Sequence, residues 1–154
     1  PLERWLKTEF GESRTLSDWS PATANGLLVG MPMTAVEDTA TFVATNQGGA
    51  VDPSGVAADF DMLRFPEQVL LWQALRATTA APFYFPPQVI HGVAYQDGGM
   101  TYNNPSALAL AAAREQFPEK PDPSILVSCG AGTEKPSRAR SHDMTNISRT
   151  AGGR

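Results

Sequence analysis

The stretch AYQDGGMTYNNP, residues 94–105, decides how this chain is read. It lies between an apolar segment and an alanine-rich one. Residues 88–96 have the content of a β-strand, and residues 105–117 read as a helix rich in Ala and Leu with Pro118 beyond its end. Asp97 is therefore expected on a strand-to-helix turn. In open α/β sheets, ligand sites collect at the carboxyl ends of strands. Gly98 and Gly99 allow a positive φ and let a substrate approach the backbone closely. Asn104 ahead of Pro105 supplies a helix N-cap with proline at the first helical position, so the helix start makes no demand on Asp97. Two uses of Asp97 remain: an Asx-turn, or a carboxylate that moves protons. An ordinary Asp pKa of about 3.9 is low for a base acting on a serine hydroxyl. Burial would raise it and a nearby helix N-terminus would lower it, and the sequence leaves that contest open.

Working outward, Leu2, Trp5, Leu6 and Phe10 recur at helical spacing, and Gly11 is the expected stop. Residues 26–30 form a short apolar run. TATFVAT, residues 39–45, reads as a strand through its β-branched and aromatic content. Residues 46–55 form a loop by their glycine and proline. Residues 66–78 predict a helix, with Pro66 at its first position and Glu67 near the positive end of its dipole. That helix has little polar face and is expected to be buried on more than one side. Pro82, Pro86 and Pro87 stop it. SILVS, residues 124–128, predicts a buried strand that runs into the glycine turn CGAGT. Strand, helix, strand, helix, strand in this order predicts an α/β fold with a mainly parallel central sheet.

Composition bounds the function. The chain has 154 residues, enough for one domain with a sizeable core. Net charge is −4, unevenly placed. From Glu134 onward five Lys and Arg face two acids, which is +3 and leaves −7 on the residues before. An acidic body excludes general nucleic-acid binding. Residues 135–154 predict a basic, disordered linker or tail after a unit spanning 1–134, and such a tail suits anionic lipid headgroups. The single cysteine, Cys129, excludes an internal disulfide framework and reads as a small buried hydrophobe. His91 and His142 lack ligand spacing, so neither a metal nor another cofactor is expected. The start at Pro1 and the ending in Gly152, Gly153 and Arg154 suggest a piece of a longer chain.

Three stretches carry a resemblance. ALRATTAAPFYFPP (74–87), YQDGGMTYNNP (95–105) and SILVSCGAGT (124–133) stand in the order and approximate spacing of the later half of a patatin-like phospholipase domain. LKTEFGESRTLSDW (6–19) and TATFVAT are similar to that family's helical connector and next strand, so the resemblance runs over about residues 1–133. It implies a three-layer α/β sandwich, incomplete in this chain, and hydrolysis of lipid acyl esters by a Ser-Asp dyad without histidine. Asp97 matches the dyad aspartate, with Gly98 and Gly99 completing the motif. The substrate implied is a lipid or phospholipid ester. The setting implied is intracellular, either cytoplasmic or peripheral at a membrane.

The main departure is an absence. The family's nucleophile stands in Gly-x-Ser-x-Gly on a tight strand-to-helix turn, and none of this chain's serines has that frame. Thr79 also replaces the family's usual Ser. The resemblance then implies a serine upstream, a partner in the remainder of the same domain, and an isolated chain that is inactive. It also implies an unpaired sheet edge and an exposed apolar face on the 66–78 helix. The alternative is a truncated, non-catalytic domain that binds lipid or a partner. Aromatic residues in FYFPP either line an acyl-chain channel or belong to the core.

Overall fold

A computed structural model describes residues 1–18, 24–46, 60–63, 68–120 and 123–130. The expected basic tail 135–154, His142, Pro66 and Glu67 lie outside those residues. The described elements are α1 (Leu2–Phe10), β1 (Gly30–Ala35), β2 (Thr41–Thr45), β3 (Asp61–Met62), α2 (Leu71–Thr78), β4 (Gln88–Ile90), β5 (Val93–Asp97), a 3-10 turn (Gly98–Met100) and α3 (Ser106–Gln116). No described helix is long and apolar enough to cross a membrane.

The five strands form one open sheet in the order β3-β2-β1-β5-β4. The α/β class stands, but the expected parallel pairing does not describe these strands. β1 pairs antiparallel with both β2 and β5, β4 pairs antiparallel with β5, and only β2 with β3 is parallel. For two of these pairs the reason is local: β1 and β2 are connected by five residues and β4 and β5 by two, too few for a crossover.

The expected 88–96 strand is a hairpin. His91 and Gly92 both take positive φ, 50° and 83°, which is the backbone of a two-residue type I′ turn. Ile90 then faces Val93 and Gln88 faces Tyr95. Strand β1 carries no clear strand signature in the sequence. Its Met31, Met33 and Ala35 are buried at period two, but Pro32 breaks the strand signature. Pro32 is accommodated because pairing with β5 begins only at Met33.

Helices cover both faces. Phe42 and Ala44 of β2 point to one core with Met33, Tyr95 and the buried residues Leu71, Ala74 and Ala77 of α2. Val43, between them, points to the other core with Phe60, Met62 and Leu108 and Ala112 of α3. Alternation along one strand thus gives the two interfaces of a three-layer arrangement. Phe42 and Tyr95 meet edge to face at 5.2 Å, and burial pushes the Tyr95 hydroxyl's pKa up.

The helix expected over 66–78 begins, as an α-helix, at Leu71. Leu70 is extended, with ψ 135°, and bridges to Thr15. The Leu16 N–H donates to Val69 O at 2.9 Å and the Leu71 N–H to Arg14 O at 2.8 Å. These backbone groups are engaged across the chain and are lost to the helix. The apolar face of α2 is not exposed as expected. α1 packs on α2, Lys7 Nζ lies 4.2 Å from the Trp72 ring centre, and Trp72 donates its indole N–H to Glu12 O at 3.3 Å. Gly11 ends α1 as expected, at φ 89°.

Residues 124–128 form no strand. Ile125 is 79% exposed and Val127 74%, and Cys129 is exposed too, so the expected buried strand and buried thiol are both corrected. Among the described residues no strand lies alongside to take their backbone hydrogen bonds.

Candidate active site around Asp97

Asp97 is the last residue of β5, between β1 and β4, as the strand-to-turn reading expects. Its backbone is held from two sides. The Asp97 N–H donates to Ala80 O at 3.1 Å, and the Thr34 hydroxyl donates to Asp97 O at 3.2 Å. Thr34 is fully buried, and its Oγ1 lies 3.0 Å from Thr101 Oγ1. Strand β1, the segment after α2 and the turn after β5 therefore meet at this residue. Sequence reading missed Thr34, Ala80 and Thr101. Nothing in the sequence pointed to Thr34, which is buried out of phase with Met31, Met33 and Ala35.

The side chain does what an Asx-turn does. Asp97 Oδ1 accepts the Gly99 N–H at 2.7 Å and caps the 3-10 turn. The two uses left open by the sequence are compatible, because one oxygen serves the turn. Among the described residues, Gly99 N–H is the only donor to this carboxylate, and Oδ2 accepts none of their hydrogens. Asp97 is partly exposed, so Oδ2 can be reached.

Gly98 and Gly99 are needed for space and not, as expected, for positive φ; neither has one. A Cβ on Gly98 would lie 2.3 Å from Pro32 O, inside the van der Waals limit, against backbone that Thr78 Oγ1 also binds, at 2.6 Å. A Cβ on Gly99 would come within 3.0 Å of Asp97 Oδ1. Asn104 Oδ1 accepts from the Ser106 N–H at 3.1 Å and from its hydroxyl at 2.7 Å. The N-cap of α3 is Pro105 and not, as expected, Asn104, and it has no side-chain cap bond; Asn104 precedes it, and the helix start makes no use of Asp97.

Beside the turn lies a cleft of about 420 Å3 lined by Ala80, Pro82, Pro87, Gln96 and the rings of residues 83–85. These aromatics are not core: Phe83 is fully exposed and Tyr84 82% exposed. Arg76, buried near the end of α2, donates from Nη2 to Pro86 O at 2.8 Å and stacks its guanidinium 5.2 Å from the Phe85 ring centre. A larger hollow of about 590 Å3 runs along the charged face of α1 and shares no lining residue with this site. Among the described residues no group of three or more His, Cys, Asp or Glu is placed to hold a metal ion. His91 is an exposed turn residue.

The family model for the Patatin-like phospholipase matches residues 1–110. The chain belongs to this family. The match takes in the Asp97 turn and ends within α3, short of residues 124–133. Calcium-independent phospholipase A2-gamma of Rattus norvegicus is 46% identical over 65 residues, 42% of this chain and 8% of that protein. Phospholipase A I of Arabidopsis thaliana is 39% identical over 71 residues, 46% of this chain and 5% of that protein. A third relative from Arabidopsis thaliana, Probable inactive patatin-like protein 9, is 31% identical over 146 residues, 85% of this chain and 33% of that protein. The chain thus spans a third or less of the length of these relatives. No solved structure matches it.

Proposed function

We propose that this patatin-like chain supplies the aspartate of a Ser-Asp dyad that hydrolyses lipid acyl esters, with the serine carried on a segment upstream of Pro1. The observation that carries the reading is Asp97 at the end of a central strand, with an Oδ2 that accepts no hydrogen bond from the described residues. In the reaction, Asp97 takes the serine proton as the serine oxygen attacks the ester carbonyl. The C–O bond to the lysolipid or glyceride alcohol breaks, and protonated Asp97 returns the proton to that leaving oxygen. Asp97 next takes a proton from water, which attacks the acyl-enzyme, and the serine recovers its proton as the fatty acid departs. The aromatic cleft beside Gln96 receives the acyl chain. The substrate is a phospholipid or neutral lipid ester, and chain 1–154 by itself is inactive because it holds no serine in the nucleophile frame.

A second reading is favoured by one relative, the one named as probably inactive, which aligns over more of this chain than the phospholipases cited above. In that reading the domain keeps the Asp97 turn as structure only. Covalent labelling separates the two. A fluorophosphonate ester phosphonylates an activated serine and displaces fluoride. With the protein carrying its upstream segment, the dyad reading expects one labelled serine outside residues 1–154. Absence of any labelled serine supports the inactive reading.

A further inference from the structure

We infer that the loop of residues 82–87 docks on a phospholipid bilayer surface, with the rings of Phe83 and Tyr84 seated among the lipid headgroups and upper chains. The choice of partner rests on the reading of this chain as part of a lipid hydrolase. Three observations carry it. The first is the direction of the rings. Phe83 has φ 71°, a conformation rarely taken by a bulky residue, and its side chain is fully exposed. The turn that imposes this is fixed, since Ala81 O accepts from both the Tyr84 N–H at 3.1 Å and the Phe85 N–H at 3.0 Å. Pro82, Pro86 and Pro87 stiffen it, and Arg76 holds Pro86 O and Phe85 from beneath. A strained backbone that turns an aromatic ring out into water points to something outside that receives it.

The second is charge. Residues 77–96 contain no Asp, Glu, Lys or Arg, 20 residues in a chain that is 18% charged. Val89 and Val93 on the adjoining hairpin are exposed too, so this uncharged surface is wider than the loop. A surface built for water would carry charges; an uncharged aromatic one suits a protein interface core or a bilayer, and the lipid-hydrolase reading selects the bilayer. Phe and Tyr side chains with an apolar body and, in Tyr84, one hydroxyl suit the interfacial layer of a bilayer, where no specific pairing is required. Carboxylates, which an anionic lipid surface would repel, are missing from the same stretch.

The third is position. The same loop walls the cleft that reaches Gln96, the neighbour of Asp97. Outer rings seated in lipid would bring the mouth of that cleft to the surface from which an acyl chain must be drawn.

The test uses vesicles of ether-linked phosphatidylcholine, which no ester hydrolase can cut, so binding is read without turnover. The full chain is floated with vesicles beside the double variant Phe83→Ser, Tyr84→Ser. Both rings are solvent-exposed, so circular dichroism and the urea midpoint are expected to be unchanged. Wild type is expected to bind, and the variant to lose at least about tenfold in partitioning, with little response to salt. Asp97→Asn is expected to bind like wild type, which separates failure of this inference from failure of the dyad. No binding by wild type, or equal partitioning of wild type and double variant, overturns the inference. So does an oligomer that the double substitution disperses, because a second copy of the chain would then be what covers the loop.

Discussion

At the scale of single residues, the Asp97 turn is held by contacts that leave almost no room. Gly98 lies so close to Pro32 O that one methyl group cannot enter without moving β1 or the turn. Gly98→Ala is therefore expected to destabilise the fold by about 1–3 kcal/mol, as overpacking does in other tight sites. A urea melt checks this, and an unchanged midpoint would show that the turn is not locked against β1. The importance of Gly98 was legible in the sequence, but the reason was not. Glycine next to an aspartate suggests a positive φ, whereas the requirement is proximity to a carbonyl 66 residues away in the chain. Proximity of that kind has no sequence signature. Asp97 was legible as a turn former and as a candidate base. The turn is carried by Oδ1, and the proposed base role falls to Oδ2, a division that only geometry assigns.

At the scale of elements, helix α1, the C-terminal end of α2 and strand β2 were legible because each carries its own periodicity. The start of α2 was not, because residues 14–16 compete for its backbone groups. That competing segment is itself fixed by a small turn: the Thr15 hydroxyl donates to Asp18 Oδ2 at 2.7 Å and the Thr15 N–H at 3.1 Å. These two bonds, the hydroxyl's first, hold the Asp18 pKa below the usual carboxylate range. The folded state then resists protonation. Its contribution is complete above the unfolded pKa of about 3.9 and is lost as pH falls through the lower folded value. Urea midpoints of wild type and Asp18→Ala should therefore differ by a constant amount from pH 8 to about pH 5 and converge below about pH 3.9. A difference that persists undiminished at pH 2 would mean the turn does not depend on the charge. The hairpin β4–β5 escaped the sequence reading because His-Gly is a weak turn signal, though its φ values are those of the type I′ turn that Asn-Gly usually announces.

At the scale of the molecule, an acidic body of three layers presents one uncharged face. The sheet's two edges, β3 and β4, are only two and three residues long, which limits edge pairing with other chains. Val89 on β4 is itself exposed, and the most exposed apolar residues are in the aromatic loop and in residues 125–127. The expected strand at 124–128 failed for a reason that operates at this scale. Its composition is right for a buried strand, but a strand forms only where a neighbour offers hydrogen bonds, and no described strand does. Family membership, by contrast, was legible, and the match over residues 1–110 takes in two of the three motifs that suggested it, not the one at 124–133. The central claim is that Asp97 is the proton acceptor for a serine supplied from upstream. It is tested most directly by the rate of phospholipid ester hydrolysis by the protein with its upstream segment, with and without Asp97→Asn. The account predicts a fall of about 10²–10⁴-fold, the usual worth of a general base, with the urea midpoint nearly unchanged. Equal rates would contradict it.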